Sequence, residues 1–392
     1  MNKRVIQVWL SSISLSLLCI YACTAPQDGK EGVQTDAPVV ADASNSAENN
    51  THQEQTTPPD VSNPAPDASQ QKDESGAVDT APVPEKALPP EPSPPEKTQA
   101  EKPPANNKSP KLAGCSIFPA DNPWNTDISK APVDPNSDKL IASIGRETGL
   151  HPDFGTQWKG VPNGIPYVVV PANQKKVKVS FRYASESDPG PYPIPANAPI
   201  EGGPNGTGDR HVLVLQQGTC MLYELFNAFK QSDGSWKAGS GAIFRLNTNK
   251  LRPEKWTSAD AAGLPIIPGL VKYEEVMAGE IKHALRFTVV RSRKAYVHPA
   301  THWASSRTSA DLPPMGMRVR LKASYDISSF PKSVQVILRA MKKYGMFVAD
   351  NGSNWFVSGA PNPKWSDSDL RALKRVKGKD FEVVKMGKIY TP

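Results

Sequence analysis

The chain has 392 residues, with 46 lysines and arginines against 39 aspartates and glutamates, a net charge of +7. Its 40 prolines and 27 glycines are too many, and too unevenly spread, for one folded body throughout. Beyond the first 23 residues no stretch is apolar for long enough to cross a bilayer as a helix.

Lys3 and Arg4 precede a mostly apolar run from Val5 to Ile20, which ends at Tyr21-Ala22-Cys23. A basic start, a short apolar core and a small residue before the cut describe a secretory signal. Ile20-Tyr21-Ala22-Cys23 resembles a bacterial lipobox, and the resemblance covers only these first 23 residues. It implies that residues 1–22 are a signal peptide and that Cys23 is lipidated. The protein would then be anchored in the cell membrane or outer membrane, facing the periplasm or the exterior.

From Thr24 to Pro110 the chain is rich in Pro, Ala, Ser, Thr, Asn, Gln and Glu and has no Phe, Trp or Tyr. Such a segment cannot bury enough apolar surface to offset its conformational entropy. Residues 23–110 therefore read as a lipidated cysteine and a disordered acidic tether. Fifteen acids against six bases in the tether, and two bases before it, leave +14 on residues 111–392. That polarity suits an anionic partner. No nucleic acid is expected; the expected partners are an anionic or neutral polysaccharide, and a membrane through the lipid.

Two of the four cysteines lie at or before the lipobox. The remaining pair, Cys115 and Cys220, is expected to form a disulfide in an exported protein.

Residues 111–392 read as one folded domain, expected as a monomer. Leu140, Ile141 and Ile144 fall at helical spacing in Ser137–Glu147, and Gly149 follows. Tyr167–Val170 and Val177–Tyr183 read as strands. Ser185–Gly208 is a long Pro/Gly loop, the kind that walls or covers a site. Then come two apolar runs, His211–Leu215 and Met221–Phe226, joined through Gln216-Gln217-Gly218-Thr219, which is a hairpin signal. Trp236–Leu246, Ile281–Val290 and Arg318–Leu321 read as strands. Thr257–Ala262 and Tyr273–Met277 read as short helices. Pro331–Tyr344 has Val334, Ile337, Leu338 and Met341 on one helical stripe. Met346–Ala349 and Trp355–Val357 flank Asp350-Asn351-Gly352, a tight-hairpin signature. Trp365–Val376 is a basic helix and Phe381–Val384 a last strand. Strands outnumber helices without βαβ alternation. The expected class is β-rich α+β, an antiparallel sandwich or open barrel with a few peripheral helices.

The hairpin at 209–226 carries the strongest chemical signal. Side chains alternate along a strand, so Asp209, His211, Leu213 and Leu215 share a face. Glu224 lies on the face of Leu222 and Phe226. Titratable groups among large apolar neighbours are costly unless paired or useful. Asp209 beside His211 suits acid–base catalysis. Glu224 in an apolar strand would have a raised pKa suited to proton donation. His283 shares a face with Leu285 and Phe287, with Arg286 on the other as a candidate contact for an anionic ligand. Asp350 is a candidate acid at a sheet end. His298 and His302 are four apart, but Pro299 argues against the helix a zinc pair would need. Seven tryptophans fall in 111–392; Trp124, Trp303 and Trp355 are candidate stacking surfaces for sugar rings. No phosphate-cradling glycine loop or dinucleotide fingerprint occurs, so no cofactor and no metal is expected.

Two functions fit. One is a surface-tethered enzyme on a polysaccharide: a glycoside hydrolase with acids from Asp209, Glu224 and Asp350, or a lyase using His211 or His283 with Arg286. The other is a non-catalytic cell-wall or polysaccharide-binding lipoprotein.

Overall fold

The central hairpin forms from Val212–Gln216 and Met221–Phe226, paired antiparallel with Leu213 opposite Glu224 and Leu215 opposite Leu222. A computed structural model describes residues 109–392 of the chain; the signal, Cys23 and nearly all of the tether lie outside the described residues. The hairpin turn contains Gly218 and Cys220, both with positive φ. Cys220 is disulfide-bonded to Cys115, so the link fixes the start of the described chain to this turn.

The hairpin sits inside a four-stranded sheet, in the order Ser240–Arg245, Met221–Phe226, Val212–Gln216, Tyr167–Val170. The last pair is parallel. Both faces of the hairpin are covered. Leu213, Leu215 and Leu222 enter the main core. Val212, Val214, Tyr223 and Leu225 enter a second, smaller core with Tyr192, Ile194 and Trp236. Alternation therefore serves two cores from one hairpin, each large buried side chain contributing roughly 1.5–3 kcal/mol by leaving water.

The main core continues onto a six-stranded mixed sheet: Phe381–Val383, Arg318–Leu321, Met346–Asn351, Leu285–Val289, Phe356–Ser358, His151–Asp153. The helix Lys332–Lys343 buries Val334, Ile337, Leu338 and Met341 against it, as the stripe requires. The fold is β-rich α+β, and the described strands form mixed and antiparallel sheets with no closed barrel.

Three local expectations change. Met346–Asn351 and Phe356–Ser358 do not pair with each other, because Leu285–Val289 lies between them. The Asn-Gly signature therefore marks a sharp turn but not a hairpin. Thr257–Ala262 forms turns, held by Ser258 Oγ to the Asp260 and Leu264 carbonyls, and no helix. Trp236–Leu246 is broken at Gly239, where a Cβ would meet the Phe226 ring at 2.7 Å.

Candidate functional site

Hairpin register puts His211 and Glu224 on one face, but they serve different surroundings. Glu224 is fully buried. Its carboxylate accepts from the Ile266 amide at 2.8 and 3.0 Å and from the Ile267 amide at 3.0 Å, at the start of the turn Ile267–Gly269. Burial pushes its pKa up to about 7, against the pull of those two amides. It anchors a turn and does not line the cleft that Asp209 and Asp350 share.

His211 is buried and doubly held. Its Nδ1 lies 2.6 Å from Glu201 Oε2 and its Nε2 3.0 Å from the Ala259 carbonyl. A carbonyl only accepts, so Nε2 donates, and Nδ1 donates to the carboxylate when the ring is charged. Burial works against that charge, yet Glu201 and Asp209 outweigh it and raise His211 to about 9. A ring with both nitrogens donating has no lone pair to take a proton. His211 is therefore a fixed cation, and the expected general-base role is corrected.

The open surface nearby is a cleft of about 200 Å³ that both Asp209 and Asp350 line, with Tyr183, Phe226 and the turn Thr257–Ala261. Asp209 precedes the first hairpin strand and is exposed. Among the described residues no hydrogen bond or ion pair engages its carboxylate. Asp350 comes from the other sheet, near the end of Met346–Asn351. A bulge places it: Phe287 pairs with Val348 and Thr288 with Asp350, skipping Ala349. Asp350 is half-buried, and burial raises its pKa from the ordinary aspartate value, with Arg286 and His211 opposing. The cleft lining contains no lysine, arginine or histidine.

Beneath it lies Arg286, buried, bonding Asp260 Oδ2 through Nε at 3.3 Å and Nη2 at 3.2 Å, and Ser358 Oγ at 2.6 Å. Asp260 is fully buried, with Oδ1 unpartnered and a pKa raised to about 7 by burial and by the charge of Asp350, against Arg286. Arg286 is committed to protein acceptors, which corrects its expected role on an anionic ligand.

The other candidates disperse. His283 is buried with Glu275 Oε2 at 3.0 Å and Lys272 Nζ at 3.4 Å, and lines no part of the cleft. Trp124 and Trp355 are 2% and 0% exposed core residues, so neither offers a stacking face. Trp355 instead stacks on Phe287 and Phe381. Trp303 is half-buried and stacks on His302, whose Nδ1 faces the carbonyl of Ala261 in the cleft wall. It borders the site without lining it. His298 pairs with Glu254 at 2.7 Å, so the two histidines four apart have separate partners.

Glu201, Asp209 and His211 each bring one potential ligand atom within 4.8 Å of the others. Both ring nitrogens of His211 are occupied, so a cation there would have to displace a ring proton.

Sequence reasoning missed Glu201, Asp260, Tyr183 and Arg210. Arg210 is buried at positive φ, and its guanidinium donates to the carbonyls of Gly203 (3.4 Å), Pro204 (3.0 Å), Gly206 (2.6 Å) and Ala228 (3.2 Å). It pins the glycine-rich loop that has Glu201 at one end and Asp209 at the other. The available signal was Glu201-Gly202-Gly203-Pro204, an acid leading a turn in a long loop that returns to the hairpin. Comparison with protein-family models, with curated proteins and with solved structures found no match.

Proposed function

We propose that the cleft is the active site of a glycoside hydrolase, acting outside the cytoplasm on a polysaccharide, with Asp350 as proton donor and Asp209 as its partner carboxylate. The observation that carries this reading is the convergence of two carboxylates in different surroundings on one cleft. Glycosidases of the common kind need such a pair, one acid kept protonated and the other ionised. Burial favours the protonated form of Asp350. Asp209 is exposed to water, and among the described residues no hydrogen bond to its carboxylate would compete with substrate.

The lyase alternative needs a base and a free cation to neutralise a uronate. His211 is charged and held at both nitrogens, His283 is elsewhere, and Arg286 is committed to Asp260 and Ser358. Geometry therefore favours hydrolysis. The non-catalytic binding reading draws support from Tyr183, 45% exposed in the same cleft. Lipidation at Cys23 remains part of the proposal, and the Cys115–Cys220 disulfide suits an oxidising compartment. Cys23→Ser should release the protein from the membrane fraction; continued tight association would reject the anchor.

The test is release of reducing ends from a panel of polysaccharides. Asp350→Asn and Asp209→Asn should each lower kcat by about 10²–10⁴-fold. Unsaturated products, or undiminished activity in both variants, would reject the assignment.

A further inference from the structure

Trp158 is 66% exposed, more than any other large hydrophobic side chain among the described residues. Its local structure leaves it no packing role. It sits on a two-stranded ribbon, Gln157–Trp158 against Val161–Pro162, turned by Lys159 and Gly160 at positive φ. The ribbon is nonetheless fixed at its base. Gly155 donates to the Asn163 carbonyl at 3.0 Å, and Thr156 bonds Asp367 through its amide at 3.0 Å and its hydroxyl at 2.5 Å. The backbone that carries the exposed indole is therefore fixed at the base of the ribbon.

The ribbon's register shows where it is held. Trp158 pairs directly with Val161, and directly opposed residues of an antiparallel pair point to the same face. Val161 rests on Gly203, where a Cβ would come within 3.3 Å of its Cγ1. Gly203 belongs to the loop pinned by Arg210, with Glu201 bonded to His211 on one side and Asp209 in the cleft on the other. Trp158 thus stands on the face turned to the loop whose end, Asp209, lines the cleft together with Tyr183.

We propose that Trp158 is an outlying stacking subsite for an uncharged pyranose unit of the polysaccharide chain whose neighbouring units occupy the cleft. The inference rests on the glycoside hydrolase reading and extends it: the substrate is a neutral polymer, bound over several sugars. An indole face matches the apolar C–H face of a pyranose ring, and a fixed platform loses little freedom on binding. The occupant is uncharged because the cleft lining supplies carboxylates and no cation.

The experiment is affinity electrophoresis of the full chain through gels containing soluble β-glucan, xylan or galactomannan, with polygalacturonate as the anionic control. Asp350→Asn serves as the background so that the gel polymer is not consumed. On the neutral polymer that retards the protein most, Trp158→Ala should weaken retention about tenfold, and Trp158→Phe should restore most of it. With Asp350 intact, Trp158→Ala should change the turnover of a short oligosaccharide that does not reach Trp158 by less than twofold, and the thermal midpoint should not move. Equal retention of Trp158→Ala overturns the subsite, even where Asp350 still governs hydrolysis. Retardation by no neutral polymer, or by polygalacturonate alone, also overturns it. Trp158-dependent retention with no hydrolysis of any polymer upholds the subsite and removes the hydrolase reading instead.

Discussion

Two buried histidines in this fold face carboxylates, and only one stands behind the candidate site. His211 bonds Glu201 at 2.6 Å, and His283 bonds Glu275 at 3.0 Å. Both are almost fully buried. The His283 group also borders a pocket, of about 260 Å³, where Lys111, Lys272 and Lys282 alternate with Glu274, Glu275 and Glu280. Charge there is matched locally, and Lys272 completes the set. The cleft in front of His211 contains Asp209 and Asp350 and no cation. A buried histidine–carboxylate pair is therefore weak evidence for chemistry. Unmatched carboxylates on open surface beside it are stronger.

The largest expected effect tests that contrast directly. Asp350→Asn should cost about 10²–10⁴-fold in kcat with little change in polymer binding. Glu275→Gln should leave kcat unchanged and lower the thermal midpoint, because it leaves Lys272 buried without its counter-ion. Equal loss of activity in the two variants would erase the distinction between the groups.

Much of this architecture was legible from alternation and spacing. The hairpin, Arg318–Leu321 and the helix at 332–343 follow from apolar period alone, and two leftover cysteines found each other. The site was half legible. Asp209 and Asp350 stand out as acids at strand ends, but their convergence depends on two sheets meeting, which no local pattern encodes. Glu224 misled because an apolar strand explains a raised pKa without revealing that two backbone amides already hold the carboxylate. Trp124 and Trp355 misled for a similar reason: polar neighbours in sequence say nothing about which way an indole packs. Glu201 and Arg210 were hidden in a loop, where side-chain direction has no period.

Removing the staple should be next in size. Cys115 and Cys220 are 105 residues apart, and losing such a cross-link costs about 2–5 kcal/mol. Chemical denaturation of Cys115→Ser/Cys220→Ser should show that loss, with exchange protection falling first at the hairpin turn. Two freely alkylatable thiols in the wild-type protein would reject the staple altogether.

Arg210→Ala should affect the His211 side alone. It would leave the carbonyls of Gly203, Pro204 and Gly206 without their donor and loosen both ends of the loop. Small misplacement of a reacting group can cost about 10²-fold in rate. Hydrogen exchange should rise across residues 201–209 and stay unchanged around Tyr273–Met277. Unchanged exchange in the loop would remove Arg210 as its pin.

The smallest effect separates the two histidine groups by pH. Burial opposes the charge of Glu275, but Lys272 and His283 overcome it and hold its pKa at about 2. A carboxyl lowered from 4.5 stabilises the fold above 4.5, and that contribution is lost as pH falls toward 2. His211 is raised from 6.5 to about 9, so its contribution is complete below 6.5 and is lost as pH rises through 9. Glu224 and Asp260, both raised by burial to about 7, act in the same direction at lower pH: the folded state binds their protons more tightly, so stability declines from about pH 4 to 7. Base should therefore loosen the His211 side and not the His283 side. Acid loosens the His283 side and also acts on the His211 side through Glu201, whose pKa burial would raise but His211 lowers. The slope is at most about 1.4 kcal/mol per pH unit for each proton. Exchange measured at both extremes, corrected for its intrinsic pH dependence, should show protection falling around Tyr273–Met277 in acid and around Val212–Phe226 in base. Loss at the hairpin in acid, with none in base, would reverse the signs and show that His211 is not held as a cation.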